Sequence, residues 1–75
     1  MGVEKEHERA AYFFENGIAY YRKLDFQSAR ENFQKAFDLY KKSGNIDSML
    51  EAEEMLRRTE DILKIFKAVT EGVAL

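Results

Sequence analysis

The 75-residue chain contains no cysteine, no proline, a single histidine and only four glycines. Without cysteine there is neither a disulfide framework nor a thiolate metal site. Without proline the chain lacks its strongest helix breaker, so long helices with few interruptions are expected. No stretch approaches the roughly 18 consecutive apolar residues of a membrane span, and residues 1–9 have no signal-peptide character. An excess of charge of one sign is also missing: 12 Lys+Arg stand against 14 Asp+Glu, a net charge of −2. That balance disfavours a nucleic-acid partner. A cytoplasmic protein that binds neither nucleic acid nor membrane is the expectation.

What is present is an ordinary globular balance, 45% hydrophobic and 35% charged residues. It argues against disorder and for one domain over residues 1–75. Ser43-Gly44-Asn45 is the one clear loop. Gly44 is suited to the left-handed conformation that closes a helix, and Asn45 or Asp47 can cap the next. A quieter break falls at Leu24-Asp25, where two apolar patterns go out of phase and Asp25 can act as an N-cap. The expected fold class is all-α, a helical hairpin plus a long C-terminal helix, with helices at about residues 4–23, 26–43 and 46–70.

The first helix carries Ala10, Phe13, Phe14, Gly17, Ile18, Tyr20, Tyr21 and Leu24 at helical spacing. The second carries Phe26, Ala29, Phe33, Ala36, Phe37 and Tyr40 at the same period. The third differs. Met49, Ala52, Leu56, Thr59, Leu63 and Phe66 form one row, and Met55, Ile62 and Val69 a second, joined by Ile65. Glu53/Arg57, Glu54/Arg58 and Glu60/Lys64 are spaced for i,i+4 ion pairs.

Phe13-x-x-Asn16-Gly17-x-x-Tyr20, followed by Ala29-x-x-x-Phe33-x-x-Ala36, resembles the tetratricopeptide repeat, a helix–turn–helix of about 34 residues. Small residues at Gly17 and Ala29 allow two antiparallel helices to approach closely. Phe13, Tyr20 and Phe33 are expected to pack beside those points, and Ala36 to admit the next helix. The resemblance covers residues 10–43. Two positions depart from the pattern: Asn16 replaces a large aliphatic residue, and Lys41 stands where proline usually ends the second helix. In strict register a second repeat would need its Gly and Tyr at Glu51 and Glu54, so the expectation is one repeat closed by a third helix. The chain is also similar to microtubule-interacting-and-transport domains, through Asp25-Phe26-Gln27-Ser28-Ala29 and residues 56–63. The fold expectation is unchanged by that alternative.

No catalytic constellation emerges. His7 lies in a charged run, and half of a Glu-x-x-His di-iron motif has no second half in the chain. Glu51, Glu53 and Glu54 read as a solvated face beside arginines. Ser28, Ser43 and Ser48 have no plausible histidine base. The chain is therefore expected to be no enzyme, with no catalytic residue, metal site or cofactor.

Function should then reside in surfaces. The resemblance to tetratricopeptide repeats implies a partner groove at Ala11, Phe14, Ile18, Tyr21 and Arg22. Phe14 and Ile18 are apolar where family members that bind chaperone tails clamp a carboxylate, so an amphipathic helix or apolar peptide fits better. The alternative is that the third helix covers these residues. A second surface, Ile62, Ile65, Phe66 and Val69 with Val73, is expected to lie beyond the hairpin's reach and to support a homodimer. Two functions stay open: a module that binds a partner protein or peptide, and a structural self-association domain.

Overall fold

The computed structural model describes residues 2–72. It is an all-α three-helix bundle of α1 (Gly2–Arg22), α2 (Phe26–Ser43) and α3 (Ile46–Thr70). Val73 lies outside the described residues.

Local chemistry sets the helix ends. The Asp25 side chain caps α2 by accepting from the Ser28 backbone N–H at 3.2 Å. Asn45 caps α3 in the same way, accepting from Ser48 N–H at 3.2 Å, so Asn45 rather than Asp47 takes that role. With lysine at position 41, α2 continues to Ser43 and ends on Gly44, whose φ is 77°. The Gly44 and Asn45 N–H groups return to the carbonyls of Lys41 and Tyr40, the paired bonds of a Schellman cap. The end of α1 uses the same motif, with Leu24 and Asp25 N–H donating to the carbonyls of Tyr21 and Tyr20. Here the left-handed residue is Leu24, at φ 66°.

The α1–α2 seam is an alternation of large and small residues. On α1, Ala10 and Gly17 are buried, and Phe14 and Tyr21 lie between and beyond them. On α2, running the other way, Tyr40 and Phe33 face the small residues of α1. Ala36 and Ala29, both fully buried, face its large ones. A Cβ placed on Gly17 would lie 2.6 Å from Cδ1 and Cε1 of Phe33, so the ring fills the space left by the missing side chain. The Phe14 ring centroid is 5.6 Å from that of Phe33. Tyr21 stands 5.3 Å from Phe26 and 6.4 Å from Phe33, which puts it over Ala29. The sequence pattern assigned this role to Tyr20. That is corrected: Tyr20 is 37% exposed at the rim, because the 100° step per residue leaves Tyr21, not Tyr20, in line with Gly17.

The third helix packs antiparallel on α2 and makes only marginal contact with α1. Ala52 joins Ala10, Ala36 and Tyr40 in one buried cluster. Thr59 is fully buried one heptad further on, its hydroxyl satisfied by the Met55 carbonyl at 2.7 Å. The Phe26 and Phe66 rings then meet at 5.8 Å. α2 thus carries an aromatic residue every seven positions, Phe26, Phe33 and Tyr40. The latter two face small residues on both neighbours. Phe26 faces Phe66 instead, and there the bundle splays: Phe66 is 51% exposed.

Of the three expected ion pairs in α3, Glu54 with Arg58 is formed, at 3.0 Å. The Glu54 carboxylate also takes Arg57, in place of a Glu53 pairing.

Two outcomes follow from these contacts. Gly17→Ala should destabilise the domain by about 1–3 kcal/mol in chemical denaturation through overpacking, although alanine is the better helix former. Adding Phe33→Leu should recover part of that loss. If Gly17→Ala is neutral or stabilising, the close contact is wrong. Leu24→Gly should raise stability by about 1 kcal/mol by removing the left-handed penalty of a side chain that is 72% exposed. A fall in the melting temperature would show that Leu24 contributes packing at the turn.

Candidate interaction face

The two sides of the bundle are distinguished by what lines them. On the outer side, Arg9, Phe13, Lys35, Asp38 and Leu39 border a shallow cleft between α1 and α2, with the Lys35 ammonium 5.3 Å from the Phe13 ring centre. Gln34, Phe37, Glu53, Leu56, Arg57 and Glu60 border another between α2 and α3. Phe13 therefore packs on the outer flank of the seam. Helical rotation sends the opposite flank of α1, with Ala11, Phe14 and Ile18, to the inner side. The same reasoning places Met55 and Ile62 on the inner flank of α3, whereas Phe66 borders a cleft with Gln27, Arg30, Glu60 and Leu63 on the outer side.

Electrostatics at Tyr40 agree with this geometry. Burial pushes its hydroxyl above the ordinary tyrosine value, and the carboxylates of Glu51 and Glu15 add to the effect while Ser48 opposes it. Glu15 on α1 and Glu51 on α3 thus both lie within electrostatic range of the Tyr40 hydroxyl. Three helices in mutual contact at about 9 Å would span about 14 Å in both short directions. The bundle measures 20 by 13 Å in cross-section. The additional width separates α1 from α3 and makes the inner face a trough.

Of the residues expected to form a partner groove, Ala11, Phe14, Ile18 and Tyr21 are half-buried and Arg22 is exposed. The third helix does not lie across them, because its contact is with α2. Phe14 and Tyr21 serve the core at the same time, through Phe33 and Phe26. Phe13, proposed with Gly17, Ala29, Phe33 and Ala36 as a packing residue, is half-buried against the Ala10–Tyr40 cluster.

The row at the end of α3 divides. Ile65 and Val69 are 55% and 58% exposed and stand clear of the hairpin. Ile62 is half-buried, and Phe66 touches Phe26. The expectation that all four lie beyond the hairpin is corrected for these two. α3 runs antiparallel to α2, so its C-terminal half returns over the start of α2, where Phe26 stands.

One junction was not visible in the sequence. His7, read there as a solvated residue, is exposed but accepts or shares a hydrogen bond with the Asn45 side-chain amide at 3.1 Å. Its ring meets Tyr40 edge-on at 5.6 Å. Because the Asn45 oxygen caps α3, its amide nitrogen must donate to His7 Nδ1. One asparagine therefore ties α1 to the start of α3. The signal was an asparagine in a helix-capping loop, but its partner 38 residues away could not be read from spacing.

No helix of the described residues is long and apolar enough to cross a membrane. No family model matches the chain, and neither a curated protein nor a solved structure matches it.

Tyr40 yields a pH prediction. Its folded pKa lies above the unfolded value near 10.0, so the folded chain keeps a proton that the unfolded chain releases. This stabilisation is complete below pH 10 and is lost as pH rises through the folded value. Thermal melts between pH 9 and pH 11 should show a fall that Tyr40→Phe makes shallower. The same slope in both proteins would remove Tyr40 as its cause.

Proposed function

We propose that this domain is a non-catalytic protein–protein interaction module, similar to a single tetratricopeptide repeat closed by a third helix. In this reading the inner trough receives a partner protein or peptide, in the cytoplasm. The observation that carries it is the stripe Ala11, Phe14, Ile18, Tyr21 on the inner flank of α1, half-buried with no helix laid across it. Such a stripe, rimmed by charged Glu15 and Arg22, has the chemistry of a groove for an amphipathic helix. The spacing of small and large residues along the seam supports the resemblance, since Gly17 does accommodate Phe33. The microtubule-interacting-and-transport resemblance would keep the same face.

Affinity capture from the source cells with the full chain tests this reading. Ile18→Glu should cut recovery of bound proteins about tenfold or more, while Tyr12→Glu, about 120° around α1 and 63% exposed, should not. Circular dichroism melts of both variants would check that they remain folded. Equal recovery with Ile18→Glu would remove the inner face as the binding surface.

A further inference from the structure

We infer that the inner face takes a cationic amphipathic helix of a partner protein, with basic residues on both edges of its apolar stripe. The inference rests on the reading of that face as an interaction surface and names the chemistry of its occupant.

Two carboxylates select this partner. Glu15 lies four residues after Ala11 and three before Ile18, so it shares their flank of α1. Glu51 lies four residues before Met55, which puts it on the inner flank of α3. Both are exposed. They come from helices that make only marginal contact with each other, yet both lie within electrostatic range of one group, the Tyr40 hydroxyl. Tyr40 itself stands between the two helices. Its ring meets His7 of α1 at 5.6 Å, and its hydroxyl is hydrogen-bonded to Ser48 of α3. Glu15 and Glu51 therefore belong to one stretch of the trough, one on each wall.

Neither carboxylate is neutralised within the chain. Among the described residues the ion pairs join Glu54 to Arg57 and Arg58. Arg58, seven residues on from Glu51, is thus held by Glu54. Arg22 is seven residues on from Glu15, about 10 Å along the axis. Two carboxylates on facing walls favour cations between them, and a helix seated on Ile18, Tyr21 and Ile62 would exclude water that otherwise screens the pairing.

The spacing is specific as well. Ala10 of α1 and Ala52 of α3 share one buried cluster, and both helices run antiparallel to α2. Counted from that common level, Glu15 and Glu51 stand about 9 Å apart along the trough. Residues five or six apart on a docked helix match this rise and point about 120–140° from each other. One then reaches each wall, with the apolar stripe between them facing α2.

Fluorescence anisotropy of the full chain with two labelled peptides at physiological salt tests the assignment. Both peptides are 18-residue amphipathic helices with a leucine stripe. One has lysine on both edges of the stripe, the other glutamate. The lysine peptide should bind about tenfold or more tighter. Glu15→Lys/Glu51→Lys should reverse the preference. Glu31→Lys/Glu53→Lys makes the same change of net charge on the outer clefts and should leave it. All four residues are exposed, so the helical fold is retained, as circular dichroism would verify. Equal binding of the two peptides, or no binding of the lysine peptide, overturns the inference. So does a preference that the outer pair shifts as much as the inner pair. Ile18→Glu separates this inference from the reading beneath it. Binding that Ile18→Glu weakens but the inner pair does not alter would keep the groove and remove its preference for cations. Binding indifferent to Ile18→Glu would remove the groove itself.

Discussion

The fit of the Phe33 ring into the space over Gly17 governs how the rest of the bundle assembles. Two helices carrying large residues on facing flanks must stand apart or interdigitate, and interdigitation needs a small residue opposite every large one. α1 and α2 satisfy this four times, with Ala10 against Tyr40, Phe14 against Ala36, Gly17 against Phe33 and Tyr21 against Ala29. α3 satisfies it twice on the opposite side, through Ala52 and Thr59, and then fails at Phe66 against Phe26. Most of the fully buried residues are small, and the one large ring wholly out of solvent is Phe33. The domain is held by close backbone approach more than by a thick apolar centre.

That economy explains what the sequence makes legible. Gly44, Asp25 and Asn45 act through bonds to residues three or four away, so their caps and the three helix spans can be read locally. Gly17 can be read as well, since a glycine amid long-helix residues costs about 1 kcal/mol and needs a packing reason. Lys41 in place of proline correctly allows α2 to run on to Ser43. The choice between Tyr20 and Tyr21 cannot be read, because both fall within one wide apolar stripe. Only the rotation of α1 about its axis, set by Gly17 against Phe33, decides between them. The left-handed Leu24 is hidden for a similar reason. The Schellman cap needs that conformation, and no glycine is supplied.

The candidate surface was legible in half. Ala11, Phe14, Ile18, Tyr21 and Arg22 do share one flank of α1. Where α3 would lie could not be deduced from its own pattern, since its apolar rows are compatible with packing over α1 or beside α2. The size of its residues decides. Ala52 and Thr59 are matched to Tyr40 and Phe33, which project from α2, while the large residues on the inner flank of α1, Phe14 and Tyr21, are already received by Ala36 and Ala29 of α2. α3 therefore lies against α2 and leaves the inner flank of α1 open.

The same matching makes α2 the only helix with neighbours on two sides. α1 and α3 each keep a flank free along most of their length, joined at one end by Ala10, Ala52 and the Asn45–His7 bond. A 75-residue chain gains little net stability from its own burial, and a trough bounded by half-buried Phe14, Ile18 and Tyr21 holds apolar area that folding leaves uncovered. Filling it would require a fourth helix from within the chain or one from outside. The three helices are already committed by the small residues that fix their register, so none of them can move across the inner face without breaking the Gly17–Phe33 fit on which the hairpin depends. The geometry that closes the core thus also keeps α1 and α3 apart along the inner face.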